Sequence, residues 1–203
     1  MSKQIRIRSL KLAAVMIAAL LGSAATNFLL GAGREFSVAQ QSPAAKSEKP
    51  FQLTSTAFDP DSAIPQKFAC NGANISPALA WTDPPANTQS LALIVDDPDA
   101  PSPTPYVHWL IYAIPPTERA LTETTPTKPT LPNGARQGKN SDGKIGYSGP
   151  CPGPGKVHHY FFKLYALDYT PDLKPKAKVE DVRSAVKGHT LAEAELIGRF
   201  QRE

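Results

Sequence analysis

The sequence lacks the patterns that mark several large protein classes. Its 203 residues contain only one uncharged stretch long enough to cross a bilayer, which excludes a polytopic membrane protein. No repeat of fixed period is present, which excludes a solenoid. The P-loop ending Gly-Lys-Ser/Thr, the zinc-protease motif HExxH and the nucleophile elbow GxSxG are also missing. The 21 prolines argue against a long helical bundle or coiled coil.

The composition is that of a globular protein with one domain or two small ones. Hydrophobic residues make up 41% of the chain and charged residues 20%, which is enough apolar material for a sizeable core. The formal net charge of +4 arises from residues 1–49, which carry seven Lys or Arg and two Glu. Residues 50–203 carry 15 basic and 16 acidic side chains and have no basic stripe interleaved with aromatics. We therefore expect no nucleic-acid partner.

The first 39 residues have the organisation of an export signal. A basic, acid-free start precedes 22 uncharged residues from Leu12 to Gly33, and Ser37-Val38-Ala39 ends in the small–x–small pattern that a signal peptidase accepts. We expect a cleaved signal peptide over residues 1–39, with an uncleaved membrane anchor as the alternative, since about 20 apolar residues span a bilayer. Positive charge before the run holds the N-terminus in the cytoplasm, so residues 51–203 are predicted to be periplasmic or extracellular.

Residues 40–50 are polar and rich in Pro and Ala, which predicts a flexible linker between the leader and the domain.

From residue 51 onward the sequence is typical of β-structure. Runs rich in β-branched and aromatic residues cover Leu91–Val95, Val107–Ile114 and His158–Leu167. Each is bounded by Pro, Gly, Asn or Asp, and apolar residues lie on both faces, as in central strands of a covered sheet.

Near the C-terminus the apolar spacing changes from two residues to that of a helix. It predicts helices over Val179–Val186 and Leu191–Phe200, with Thr190 as the N-cap of the second and Glu193 completing a capping box. The predicted fold is therefore mainly β: an antiparallel β-sandwich over residues 51–203 with short C-terminal helices.

Histidines and acids concentrate in two segments that join strands to loops. The first is DPDAPS at residues 97–102, followed by His108 in a predicted strand; the second is GYSGPCPGPG at 146–155, followed by His-His-Tyr at 158–160. Pro98 favours an extended conformation before it, so Asp97 and Asp99 are expected to point the same way. Period two places His158 and Tyr160 on one strand face and His159 on the other.

Each of these residues also has a plain structural interpretation. Asp97 and Asp99 could simply accept hydrogen bonds from turn N–H groups, and His108 and Tyr160 could be core residues. His159 and His189 are expected to be solvated or structural. The combination of both segments is what favours a binding site, because the Pro/Gly-rich loop after Gly149 offers backbone N–H groups to an anion.

The two segments together resemble the phosphatidylethanolamine-binding protein family, in particular its bacterial Raf-kinase-inhibitor-like branch. A third stretch, CNGANISPALAW at residues 70–81, is similar to the CxGxNxSPxLxW pattern of that branch. The resemblance covers about residues 51–200. It implies a large antiparallel β-sandwich and a small surface pocket that accepts phosphate-like anions, including a phospholipid head group.

The resemblance also implies which residues form the pocket. The pocket itself would hold Asp97, His108, His158 and Tyr160; Asp99 and Pro101 would shape its first loop, and Gly149 and Pro150 its second wall. The family usually has Arg where this chain has His159, which removes a fixed charge and a bidentate donor.

The expected function is therefore that of an exported binding protein, not an enzyme, with no cofactor and no metal. Its ligand would be a phospholipid head group or another phosphorylated group, and the family name implies inhibition of a partner kinase or protease. Because Asp97 repels an anion, we expect modest affinity and a preference for a protonated or zwitterionic ligand, such as phosphoethanolamine with its amine near a carboxylate.

Two other functions stay open at the level of sequence. The side chains of His108, His158 and Asp97 could hold zinc in a hydrolase, since two imidazoles and a carboxylate leave an open fourth position. A structural envelope protein with a vestigial pocket is the other alternative. The two cysteines, in an exported domain, predict one disulfide between Cys70 and Cys151, with two buried free thiols as the alternative.

Overall fold

A computed structural model describes residues 50–203. The predicted signal peptide or anchor (1–39) and the predicted linker up to residue 49 lie outside the described residues. Within residues 50–203, no helix is both long and apolar enough to cross a membrane.

The described part of the chain is built mainly from β-strands. In chain order these are β1 (Leu53–Thr54), β2 (Ser62–Ala63), β3 (Leu79–Trp81), β4 (Ser90–Asp97), β5 (Tyr106–Ile114), β6 (Ala120–Leu121), β7 (Arg136–Gln137), β8 (Val157–Leu167) and β9 (Thr190–Gln201). A short 3₁₀ helix covers Gln66–Phe68, and an α-helix, α1, covers Val179–Val186.

The strands form two sheets that pack face to face. The larger sheet has the order β2-β9-β8-β4-β5-β7 and is antiparallel except for the β2–β9 pair; the smaller has the order β1-β3-β6. One apolar cluster joins the sheets, because Leu53, Trp81 and Leu121 of the small sheet pack with residues such as Leu93 and Phe162 of the large one. The fold is thus the expected antiparallel β-sandwich.

The other face of the large sheet is covered by α1. Val182 and Val186 of the helix pack on a second apolar cluster that includes Ile94, Leu110 and Tyr112. All eight residues of β4 are buried as a result, since this strand has a packed layer on each side. The three predicted central strands are confirmed, each lengthened by one to three residues into β4, β5 and β8.

The predicted helix over Leu191–Phe200 is wrong, whereas the predicted helix over Val179–Val186 is confirmed. Residues 190–201 form β9, which pairs along its length with β8. The apolar and small residues Ala194, Leu196 and Phe200 alternate with exposed polar ones, a period of two that matches the sheet face. The helical propensity of Ala, Glu and Leu is overridden here by pairing and burial.

Candidate functional site

Three neighbouring strands bring distant residues to one pocket. β4 lies between β8 and β5, and Asp97 is the last residue of β4. His158 comes from β8 and His108 from β5, so an imidazole flanks the carboxylate on each side. All three side chains line one pocket of about 580 Å³ and are nearly buried, with 3% of Asp97 and 5% of each histidine exposed.

A β-bulge in β5 places His108 on the pocket side. Two consecutive residues of β4 pair with Val107 and Trp109, so His108 is an extra residue without a partner on β4. Such a bulge redirects a side chain that strict alternation would send to the other face. Trp109 packs in the core between the sheets, and His108 lies on the same side, 5.1 Å from the ring of Tyr160 and edge-on to it.

Asp97 joins the first loop to His158. Its Oδ1 accepts hydrogen bonds from the backbone N–H groups of Asp99 (2.8 Å) and Ala100 (3.1 Å). Its Oδ2 accepts one from Nδ1 of His158 at 2.8 Å. Because a carboxylate only accepts, Nδ1 carries the proton of this bond, and Nε2 is the ring nitrogen that remains for a ligand. Asp97 thus caps the turn and also lines the pocket.

His108 is fixed in the same way by the second loop. Its Nδ1 donates to the carbonyl oxygen of Ser148 at 2.7 Å, and the N–H of Ser148 donates to the carbonyl of His108 at 2.9 Å. Burial lowers the pKa of His108 below its ordinary value, although the bond to Ser148 and the nearby carboxylates of Asp97 and Asp142 act in the opposite direction. The ring is therefore neutral at pH 7, with Nε2 as an acceptor.

Tyr160 packs against His108 behind the pocket lining. It is 1% exposed, and its hydroxyl has no hydrogen-bond partner at normal geometry among the described residues. Burial raises its pKa, and the carboxylate of Asp97 raises it further, so the phenol stays neutral. The predicted division of β8 is confirmed: His158 and Tyr160 are buried on one face, and His159 is partly exposed on the other.

The expectation that Asp97 and Asp99 point the same way is wrong. Residues 98 and 99 form a turn, so the extended spacing of two does not apply. The carboxylate of Asp99 instead accepts from the backbone N–H (2.9 Å) and Nδ1 (2.7 Å) of His159 on the far face of β8. The hydrogen bond from His159 lowers the pKa of Asp99. This pair ties the first loop to β8 outside the pocket.

The second wall is close-packed and covalently anchored. A Cβ on Gly149 would lie 2.1 Å from the carbonyl oxygen of Phe68, so only glycine fits there. The N–H of Gly149 donates to Oδ1 of Asn74 at 2.8 Å. A disulfide joins Cys70 to Cys151, and the N–H of Cys70 donates to the carbonyl of Pro150 at 3.0 Å. Both half-cystines line the pocket, so the bond fixes one of its walls.

The residues that sequence reasoning assigned to the site therefore fall into two groups. The pocket lining includes Asp97, Pro101, His108, Gly149 and His158. The remaining three residues lie just outside this lining: Asp99, Pro150 and Tyr160.

Several lining residues were missed by the sequence analysis. Asn74, Tyr106, Asp142 and Lys144 line the pocket together with Ser102 and Ser148. Tyr106 is two residues before His108, and its ring lies 4.9 Å from that imidazole. Asp142 and Lys144 flank Gly143 in a turn whose approach to β5 is not visible in the sequence.

The residues 50–203 contain no group of three His, Cys, Asp or Glu side chains placed to hold a metal ion. In the suggested zinc set, both oxygens of Asp97 already accept hydrogen bonds from protein donors, so this carboxylate is not free as a third ligand beside the two imidazole Nε2 atoms.

Comparison with known proteins gives a consistent result. Residues 54–201 match the family profile described as phosphatidylethanolamine-binding protein. A UPF0098 protein of Methanothermobacter thermautotrophicus is 51% identical over 150 residues, which cover 74% of this chain and 98% of that protein. The crystal structure of Escherichia coli YbcL, described as a new member of the mammalian phosphatidylethanolamine-binding protein family, is 32% identical with a TM-score of 0.71, covering 75% of this chain and 99% of that one.

A further relative carries a name that refers to lipid attachment. A protein of Mycobacterium tuberculosis named as a candidate lipoprotein is 37% identical over 158 residues, which cover 77% of this chain and 75% of that protein.

Proposed function

The chain belongs to the phosphatidylethanolamine-binding protein family, and from that premise we propose that it is an exported binding protein for phosphate-type ligands rather than an enzyme. The ligand is a phospholipid head group or another phosphorylated group. It lies in the pocket between the two motif loops, with its phosphate at His108 and His158.

The observation that carries this proposal is the arrangement of the two imidazoles. Each has its Nδ1 bonded to a fixed acceptor, the carboxylate of Asp97 or the carbonyl of Ser148, and each lines the same pocket. Only Nε2 of each ring is left for a ligand. Two rings held in this way form a preorganised site, which reduces the ordering cost of binding.

The chemistry of this pair suits a protonated phosphate. The neutral His108 accepts a hydrogen bond at Nε2, and a phosphomonoester carrying one proton supplies the P–OH donor. Other lining groups donate to the remaining phosphate oxygens: the ammonium of Lys144, the hydroxyls of Ser102 and Ser148, and the amide of Asn74. The orientation of that amide follows from its bond to the N–H of Gly149, which requires oxygen there and leaves the NH₂ group free to donate.

Export is supported by three independent features. The leader has the organisation of a signal peptide or anchor. The disulfide between Cys70 and Cys151 is of the kind that persists in oxidising compartments. A relative that is 37% identical is named as a candidate lipoprotein. We therefore place residues 51–203 in the periplasm or outside the cell.

Titration calorimetry of the purified protein with phosphate and with phosphoethanolamine tests the proposal. We expect saturable binding in the micromolar to millimolar range, as is usual for a small ligand with few contacts. His158→Ala removes one of the two imidazole nitrogens that contact the phosphate, and is expected to weaken binding about tenfold or more.

The matched control is His189→Ala, since His189 is also a histidine paired with an aspartate, Asp168, but lies outside the pocket. It is expected to bind like the wild type. Absence of heat at millimolar ligand in the wild type, or unchanged binding in His158→Ala, would contradict the proposal and favour a structural protein with a vestigial pocket.

A further inference from the structure

A short turn carries two charges of opposite sign into the pocket wall. In residues 140–145, Oδ1 of Asn140 accepts the N–H groups of Asp142 (3.1 Å) and Lys144 (2.9 Å). The N–H of Asn140 donates to the carbonyl of Lys144 at 2.8 Å, and Gly143 has the positive φ that this turn requires. Asn140 is itself 5% exposed, so the turn is anchored from inside.

Two carboxylates line the pocket, and they differ in how many hydrogen bonds from the protein they already accept and in their exposure. Both oxygens of Asp97 already accept hydrogen bonds from protein donors, and its side chain is nearly buried. Asp142 is exposed and accepts one hydrogen bond, from the hydroxyl of Tyr106 at Oδ1. Among the residues that the structure describes, Asp142 is in no salt bridge, and neither is Lys144.

An unpaired carboxylate is unfavourable in a pocket that takes only phosphate. It repels a phosphate anion bound in the same pocket, and among the described residues it has no salt-bridge partner. The same carboxylate is favourable for a ligand that carries a cation beside its phosphate. Tyr106 strengthens this, because an aromatic face attracts an ammonium group and because its hydroxyl fixes the position of Asp142.

We propose that Asp142, positioned by Tyr106, is the residue by which this pocket selects a phosphomonoester bearing an ammonium group over one that bears none. The inference rests on the proposed function, since it assigns the cationic end of a ligand whose phosphate lies at the histidines. Lys144 serves the anionic end and does not discriminate. The other carboxylate of the pocket, Asp97, already accepts hydrogen bonds from protein donors at both oxygens.

The test is the ratio of the dissociation constants of ethyl phosphate and phosphoethanolamine, which differ by the amino group. We expect the wild type to prefer phosphoethanolamine about fivefold, the size of an exposed ion pair with a cation–π contribution. Asp142→Asn keeps the size and the acceptor for Tyr106 but removes the charge, and is expected to bring the ratio close to one. Lys144→Gln is expected to weaken both ligands alike and leave the ratio unchanged.

Asp172→Asn is the matched control, because it makes the same charge change at an exposed aspartate outside the pocket lining; its ratio should equal that of the wild type. Retained binding of ethyl phosphate shows that Asp142→Asn is folded. A wild-type ratio of one, or a preference that survives in Asp142→Asn, overturns the inference while leaving the proposed function intact. If the wild type binds neither ligand, the proposed function fails, and this inference fails with it.

Discussion

Asp96 and Asp97 are consecutive, both nearly buried, and embedded in two different kinds of environment. Asp96 faces the helix side of the large sheet, where Lys163 (3.2 Å) and Arg183 (3.3 Å) hold one carboxylate oxygen each. Asp97 faces the sandwich side, where its partners are two loop N–H groups and His158. The alternation of a strand is what sends the two carboxylates to opposite faces.

The difference lies in what each cluster leaves unused. The Asp96 cluster is closed, since one carboxylate is neutralised by two permanent cations that link β8 and α1 to β4. The Asp97 cluster is open, since the imidazole it holds keeps a second nitrogen for something else. A buried charge with fixed cationic partners is a structural element, whereas one whose partner is a histidine at a pocket is a candidate for function.

Replacing each aspartate by alanine separates the two roles most strongly. Asp97→Ala leaves two loop N–H groups and the imidazole of His158 without their acceptor in a buried setting, so we expect a loss of about 3 kcal/mol or more in the free energy of unfolding. Asp96→Ala leaves two partly exposed cations that water can solvate, and is expected to cost about 1–2 kcal/mol. Urea unfolding measures both.

Phosphate affinity is expected to differ between the same two variants. Phosphate affinity should be lost in Asp97→Ala and kept within about twofold in Asp96→Ala, because only the first variant frees a pocket histidine. Equal losses of affinity in the two variants would show that the pocket depends on general stability and not on how His158 is held.

The covalent link on the pocket side gives the next largest effect. Replacing Cys70 and Cys151 together by serine removes a cross-link between residues 81 positions apart, and we expect a loss of about 2–4 kcal/mol in the free energy of unfolding. Phosphate affinity should also fall, because both residues line the pocket. Reduction of the wild type with dithiothreitol is expected to reproduce both changes; unchanged affinity after complete reduction would mean that the wall is held by its backbone hydrogen bonds alone.

The acidity of His108 makes anion binding depend on pH. Burial lowers the pKa of His108, so between that value and the ordinary one the unfolded chain is protonated and the folded protein is not. Folding stability is therefore expected to fall as the pH drops through this window. Sulfate, which has no proton to donate near neutral pH, should bind about threefold to tenfold more tightly as the pH falls toward the lowered pKa of folded His108, because the protonated ring becomes a donor at Nε2.

Isothermal titration with sulfate between about pH 5 and 7.5 measures this dependence. His108→Gln places an amide near the position of Nε2 and does not titrate, so its pH profile is expected to be flatter than that of the wild type. A variant profile as steep as that of the wild type would assign the dependence to another group.

The sequence was informative where burial enforces a regular period. The apolar runs around residues 91–95, 107–114 and 158–167 could be identified as central strands: β4 and β5 are packed on both faces, and β8 alternates between buried and half-buried residues. The prediction was wrong at Leu191–Phe200. The helix-forming residues there obscured an alternation of buried and exposed side chains with a period of two, and pairing with β8 is what makes this segment a strand.

The site was predictable in its motif residues and not in its geometry. The bulge that turns His108 toward the pocket comes from the register between β4 and β5, which no local pattern encodes. The turn at residue 98 separates Asp99 from Asp97, and the turn around Gly143 brings Asp142 and Lys144 to the same pocket. The contact of Tyr106 with Asp142 joins residues 36 positions apart, so the approach of this turn to the pocket follows from tertiary packing.

The smallest effect concerns the rim pair of Asp99 and His159, where the family usually has arginine. His159→Arg offers Asp99 a bidentate partner that stays charged at every working pH. However, His159 lies directly opposite Arg199 on β9, and like charges at opposed strand positions repel each other. We therefore expect a gain below about 1 kcal/mol in the free energy of unfolding, since the pair is exposed.

Arg199→Gln in the His159→Arg background removes that repulsion and should increase the gain, whereas Arg199→Gln alone should change the free energy of unfolding by less. Urea unfolding of the four proteins gives the coupling between the two positions as a double-mutant cycle. A coupling of zero would mean that Arg199 does not oppose an arginine at position 159. An unfavourable coupling would instead explain in physical terms why this chain carries histidine there: Arg199 already supplies a permanent cation at the opposed position of β9, and an arginine at position 159 would add a second one beside it.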